Sequence, residues 1–259
     1  MATLHAEVVG AGSPIVLAHG FTQTGRLWGR FGDTLAQRHR LVQVDLPGHG
    51  DSSSVEVDLE GAGRLVLEAA AQAGAEPTDL LGYSFGARVA LHAALTDPRR
   101  VRRLILIGGT GGIEDVAARA QRRARDDAMA DELEESGDLD GFLHRWIANP
   151  LFGGRRPDAA EITERRRNTP AGLASSLRLA GTGTQEPLWD RLGGLDLPVL
   201  ALAGANDPRF VATGLRLAAL TGGVFSAVVG AAHAAHLDQP ALCARIVEAW
   251  LGATEVRAA

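Results

Sequence analysis

Residues 80–92 read LLGYSFGARVALH, and the fold turns on them. An apolar run leads into Gly82, Ser84 and Gly86, and an amphipathic stretch, ARVALHAAL, follows. A G-x-S-x-G pentapeptide between a strand and a helix is a device for exposing a nucleophile. The serine sits on a strained turn, and the small residues two positions either side let strand and helix approach closely. The alternative is an ordinary strand-to-helix turn with a serine cap. A hydroxyl is a weak nucleophile or base until a neighbour takes its proton, so the first reading demands partners elsewhere in the chain.

Working outward, short near-continuously apolar runs alternate with longer helical patterns over the first 110 or so residues. PIVLAHG (14–20), RLVQVDLPG (40–48), DLLGYS (79–84) and VRRLILIGG (101–109) read as strands covered on both faces. LWGRFGDTLAQR (27–38), LEGAGRLVLEAAAQAG (59–74) and FGARVALHAALTD (85–97) read as helices. That alternation predicts a mostly parallel sheet with crossover helices on both faces. From Gly112 to Gln185 the pattern changes to helix after helix. Strands return at LPVLALAG (197–204) and GGVFSAVVG (222–230), with a helix between them and another, ALCARIVEAWLG, at the end. The simplest arrangement is an α/β core over 1–111 and 186–259 with a helical lid inserted at 112–185.

The partners of the serine are expected in the order Ser, acid, His. Asp207 follows the strand at 197–204 in LALAGANDPRF, and His233 follows the last strand in VVGAAHAAHLDQP. Asp207 taken alone is also good turn chemistry, and His236 competes with His233. In the triad reading His233 accepts the Ser84 proton while Asp207 fixes the imidazole tautomer. LAHGFTQTG (17–25) is placed to offer the Phe21 amide to a developing oxyanion, with the Phe85 amide as second donor. His19 is expected to brace that loop, and His49 in DLPGHGDS (45–52) to serve loop architecture.

The bulk composition narrows the rest. The chain has 259 residues and a net charge of -5, which argues against nucleic acid as a partner. No apolar run approaches a membrane span and no signal peptide is evident. Cys243 is the single cysteine, so an internal disulfide or cysteine-based metal site is excluded and a reducing, cytoplasmic setting is expected. All 26 basic residues are arginine. Coding bias explains that abundance, so only an arginine's position carries information.

HGF, DLPGHGDS, GYSFG, the Asp loop and the late His, in this order, make the chain resemble the α/β-hydrolase superfamily over nearly its whole length. Within it, HGFTQTGRLW, GYSFGAR, ARAQRRARDDAMADELEESGDLDGFLHRWIANPLF and LAGTGTQEPLWDRL resemble the 2-succinyl-6-hydroxy-2,4-cyclohexadiene-1-carboxylate synthases of menaquinone biosynthesis. The late histidine of that family follows a glycine, whereas Ala232 stands there here.

The resemblance implies a lyase that eliminates pyruvate from 2-succinyl-5-enolpyruvyl-6-hydroxy-3-cyclohexene-1-carboxylate, with no metal or organic cofactor. It implies a small polycarboxylate as partner and leaves monomer or homo-oligomer open. It further implies that Arg88, one helical turn after Ser84, grips a substrate carboxylate, with Tyr83 and Trp146 nearby. Lid arginines are expected to assist. Spacing selects Arg122, with Arg119, Arg123 and Arg125 as competitors, and Arg165, with Arg166 and Arg167 as competitors. A hydrolase of esters or C–C bonds, or a non-catalytic binding protein, would use the same fold.

Overall fold

The computed structural model describes residues 2–254. Seven strands form one sheet in the order β1-β3-β2-β4-β5-β6-β7. They are β1 (Ala6–Val9), β2 (Ser13–Ala18), β3 (His39–Val44), β4 (Thr78–Tyr83), β5 (Val101–Ile107), β6 (Val199–Gly204) and β7 (Val224–Val228). Every pairing is parallel except β1 with β3. Residues of β4 and β6 are buried throughout, as expected of strands with helices on both faces.

The two-residue strand period sorts side chains to two cores. Val16, Ala18, Leu80, Leu104 and Leu106 face one side, where α2 (Leu59–Gln72) and α3 (Phe85–Thr96) pack. Ile15, Leu17, Leu81, Ile105 and Ile107 face the other, against α1 (Gly29–Ala36) and α9 (Pro240–Ala253). Adjacent residues of one apolar run thus anchor opposite layers. The short antiparallel β1 was not anticipated. Its residues are half-buried or exposed, so AEVV carries no continuous apolar signature.

Between β5 and β6 the described residues hold no strand. They form α4 (Val116–Ser136), α5 (Leu139–Ile147), α6 (Ala159–Arg165) and α7 (Pro170–Ala180). Asp115, Asp138, Asp158 and Thr169 each cap one of these helices by accepting a hydrogen bond from a first-turn amide. Ala130, Leu133, Phe142, Leu173, Ala174 and Leu177 make a third, small core. Phe21, from the loop after β2, packs into it alongside Trp146. No described helix is long and apolar enough to cross a membrane.

Candidate active site

The strand-to-helix junction at Ser84 is built from steric necessity. Ser84 has φ 52° and ψ −104°, a region non-glycine residues rarely occupy. Its amide is held by the Ile107 carbonyl at 2.8 Å. A Cβ at Gly82 would overlap the Gly86 carbonyl, and one at Gly86 would overlap the Ala18 carbonyl. Both glycines are therefore required for β4, α3 and β2 to approach as they do. The turn leaves the Ser84 hydroxyl facing a cavity.

His233 Nε2 lies 2.9 Å from Ser84 Oγ, and His233 Nδ1 lies 3.1 Å from Asp207 Oδ2. Asp207 serves two readings at once. Its Oδ1 accepts from the Phe210 amide at 3.2 Å, capping α8 (Pro208–Thr221), while Oδ2 faces the imidazole. The cap fixes the carboxylate, and the fixed carboxylate orients His233 with Nδ1–H towards it. His236 sits elsewhere. It is fully buried against Tyr83, with ring centroids 4.4 Å apart, and also touches Trp28 and Phe31. Neither of its ring nitrogens has a hydrogen-bond partner among the described residues. Burial, helped by nearby Arg155, His233 and Arg165, pushes its pKa down to about 3, so it is neutral.

The loop after β2 crosses the nucleophile. The Gly86 amide donates to the His19 carbonyl at 2.9 Å, which fastens the loop to α3. The amides flanking Phe21 are taken by side chains: Gly20 N–H donates to Gln23 Oε1 and Thr22 N–H to His49 Nε2. Thr22 has φ 66° and, among the described residues, shares with Ser84 alone a positive φ without being glycine. The Phe85 amide opens α3, one of the donors a helix start leaves without an intrahelical acceptor. His19 donates from Nδ1 to the Gly20 carbonyl and accepts from the Leu46 amide at Nε2. His49 donates to the Pro47 carbonyl. Burial holds the pKa of His19 down to about 4 and that of His49 to about 3, so both are neutral braces.

The cavity over Ser84 is lined by His233, Phe21, Tyr83, Phe85, Trp146 and four arginines, Arg88, Arg122, Arg165 and Arg209. Among the described residues no carboxylate lines it. In a chain of net charge -5 that concentration of positive charge is local and specific. Arg88 is 7% exposed and uses one donor, Nη1, on the Ala180 carbonyl at the end of α7, 2.8 Å away. Its guanidinium lies 5.4 Å from the Phe85 ring centroid. Burial, then the charge of Arg122, pulls its pKa down to about 9, still protonated at neutral pH.

Arg122 Nε donates to Asp126 Oδ1 at 2.8 Å, while Asp126 Oδ2 accepts from the Gly183 amide. Asp126, fully buried, thus ties the arginine to the chain beyond α7. Arg165 pairs with Glu161 at 2.8 Å and donates to Thr22 Oγ1, which links α6 to the loop carrying Phe21. Burial pulls its pKa down against the opposing pull of Glu161.

The competing arginines turn elsewhere: Arg119 to the Ile113 carbonyl, Arg166 to Asp140 and Arg167 to Glu164 and Asp51, while Arg123 and Arg125 are exposed. Tyr83 is buried, and burial pushes its hydroxyl above the usual tyrosine range. The Trp146 ring lies 5.0 Å from that of Phe21. Arg209 and Gln23 were not singled out in the sequence. Both stand in quoted motifs, Gln23 in LAHGFTQTG and Arg209 two residues after Asp207, and proximity to those motifs was the available signal.

Comparison with known proteins agrees with this geometry. Residues 13–240 match the family model for the alpha/beta hydrolase fold. The chain is 34% identical, over 93% of its own length and 91% of the other's, to a Bacillus subtilis protein named for 2-succinyl-6-hydroxy-2,4-cyclohexadiene-1-carboxylate synthase activity. It is 33% identical to the synthase of that name from Klebsiella pneumoniae, covering 88% and 89% of the two chains. The solved structure of MenH from S. aureus superposes with a TM-score of 0.87 at 28% identity, covering 96% of this chain and 98% of that one. The chain belongs to the α/β-hydrolase fold family and, within it, to the 2-succinyl-6-hydroxy-2,4-cyclohexadiene-1-carboxylate synthases.

Proposed function

We propose that this protein eliminates pyruvate from 2-succinyl-5-enolpyruvyl-6-hydroxy-3-cyclohexene-1-carboxylate in menaquinone biosynthesis, with Ser84, His233 and Asp207 as its proton-transfer apparatus. One observation carries the reading: among the described residues, four guanidinium groups and no carboxylate line the cavity over the Ser84–His233 pair. A substrate with three carboxylates matches such a cavity, because charge-assisted hydrogen bonds to arginine favour carboxylates over neutral groups. Family membership supports the same substrate.

The change from a 3-ene to a 2,4-diene defines the bonds. The C2 proton leaves and its bonding pair forms C2=C3, the C3=C4 pair shifts to C4=C5, and the C5–O bond to the enolpyruvyl group breaks with its pair going to the departing oxygen. Ser84 Oγ, its proton drawn to His233 Nε2, takes the C2 proton. C2 neighbours the succinyl ketone, so negative charge moves onto that ketone oxygen. The Phe21 and Phe85 amides receive it, acting where charge develops rather than where it rests. Asp207 steadies the imidazolium, and the proton held by His233 returns to the departing enolate, which becomes pyruvate. No water is consumed. Arg88, Arg122 and Arg165 hold the retained carboxylates, and residues 112–185 act as a lid that brings α4, α6 and α7 over the site. The single buried cysteine, Cys243, fits a cytoplasmic, reducing setting.

A hydrolase built on the same triad would add water, so the ring product distinguishes the two. Incubation of the protein with the enolpyruvyl substrate is expected to give pyruvate and a ring product one water lighter than hydrolysis would leave. A ring diol would establish the hydrolase, and no pyruvate above background would end the proposal.

A further inference from the structure

We infer that Arg209 binds the carboxylate of the fragment that departs, and so selects substrates carrying an acidic leaving group; the inference rests on the pyruvate-eliminating reading above. Among the four guanidinium groups of the cavity it alone lacks a polar anchor among the described residues. Arg88 is tied to the Ala180 carbonyl, Arg122 to Asp126 and Arg165 to Glu161. Arg209 has no carboxylate within ion-pair reach among the described residues and rests over the Phe210 ring, 5.7 Å from its centroid.

Its position is costly for a merely structural cation. Arg209 lies in the first turn of α8, where the helix dipole presents its positive end and disfavours positive charge. Phe210 in turn packs on His233, with ring centroids 4.4 Å apart. The Arg209–Phe210 pair thus borders the base side of the cavity, at the start of the helix that Asp207 caps.

Exposure decides which carboxylate it takes. Arg88 and Arg165 are buried at 7% and 5% exposure, whereas Arg209 is exposed. Of the three carboxylates named in the substrate, the ring and succinyl groups remain with the product and the enolpyruvyl group leaves. Groups retained through the reaction suit the enclosed arginines. The group that must reach solvent suits the arginine at the open end, beside the imidazole that returns a proton to it.

The test begins with wild-type pyruvate release; its absence would remove the reading of the reaction, whatever Arg209 does. Given that release, Arg209→Ala and Arg209→Lys are compared by substrate kinetics and by inhibition with the ring product, which lacks the departing carboxylate. The expected result for Arg209→Ala is a rise in KM of about 5- to 10-fold, the scale of a partly exposed charge-assisted hydrogen bond, exceeding any fall in kcat. The product inhibition constant is expected to move by less than about two-fold, and Arg209→Lys to recover part of the loss by keeping the charge. An unchanged KM would overturn the inference. So would a product inhibition constant that rises with KM, which would place the arginine on a retained group, or a loss confined to kcat, which would place its action on the Asp207 loop.

Discussion

Removing the Arg88 guanidinium is expected to cost activity and leave stability intact or improved. An arginine has five N–H donors, and Arg88 commits one to the protein, on Ala180. Arg88 lines a cavity that no carboxylate of the described residues lines. Burial and Arg122 hold its pKa down to about 9, and a fall of that size from ordinary arginine corresponds to a penalty of several kcal/mol on the charged form, at about 1.4 kcal/mol per pH unit. Against that penalty the folded protein gains a hydrogen bond worth about 1 kcal/mol and a cation–π contact of similar size. Arg88→Met, which keeps much of the apolar stem, therefore isolates the charge.

Losing a charge-assisted bond to a substrate carboxylate costs about 1.5–3 kcal/mol, so kcat/KM for pyruvate release is expected to fall roughly 10- to 150-fold in Arg88→Met and Arg88→Ala. The thermal midpoint of Arg88→Met is expected to equal or exceed the wild-type value. Kinetics within about three-fold of wild type would show that no carboxylate meets Arg88. A midpoint lowered by more than about 8 °C in both variants, some 2 kcal/mol or more for a chain of this size, would show that the arginine holds the fold together and refute the reasoning.

Other consequences are equally direct. His236→Leu is expected to retain pyruvate release within about three-fold, since replacing an unpartnered buried imidazole by an apolar group is near neutral, whereas His233→Ala loses at least about 100-fold; the reverse order would exchange their roles. His19, His49 and His236 are neutral when folded, with pKa values of about 4, 3 and 3, and ordinary when unfolded. The unfolded chain therefore binds more protons below about pH 6.5, so the urea midpoint is expected to fall steadily from pH 6.5 towards pH 4 and to change little above pH 7 from these groups. A midpoint that rises on acidification over that interval would contradict their burial as neutral braces. Gly86→Ala is expected to yield little folded protein, because the new Cβ meets the Ala18 backbone; a soluble, active variant detected by circular dichroism and pyruvate release would show that the junction yields.

The features legible in the sequence were those with a local cause. The doubly buried strands announced themselves as apolar runs, and LLGYSFGARVALH combined that signal with glycines that only close backbone approach requires. What escaped notice depended on contacts far apart in the chain. β1 is short and half-exposed, and becomes a strand because β3 offers it an edge. Thr22 accepts a positive φ because Arg165, 143 residues away, holds its hydroxyl and Asn168 its carbonyl. Arg209 enters the cavity because Asp207 caps α8 and sets that helix's first turn beside His233. Position after the last strand favoured His233 in the sequence, with His236, three residues on, as its rival. Tyr83, packed between the two rings, divides them in space.

The rate of pyruvate and conjugated-diene formation by wild-type protein and by Ser84→Ala tests the central claim most directly. Equal amounts of the two products from the wild type, slowed at least about 100-fold when the hydroxyl is removed, are expected of a serine–histidine pair that moves the C2 proton. Wild-type protein that releases no pyruvate, or a Ser84→Ala variant that releases it at the wild-type rate, would contradict the account.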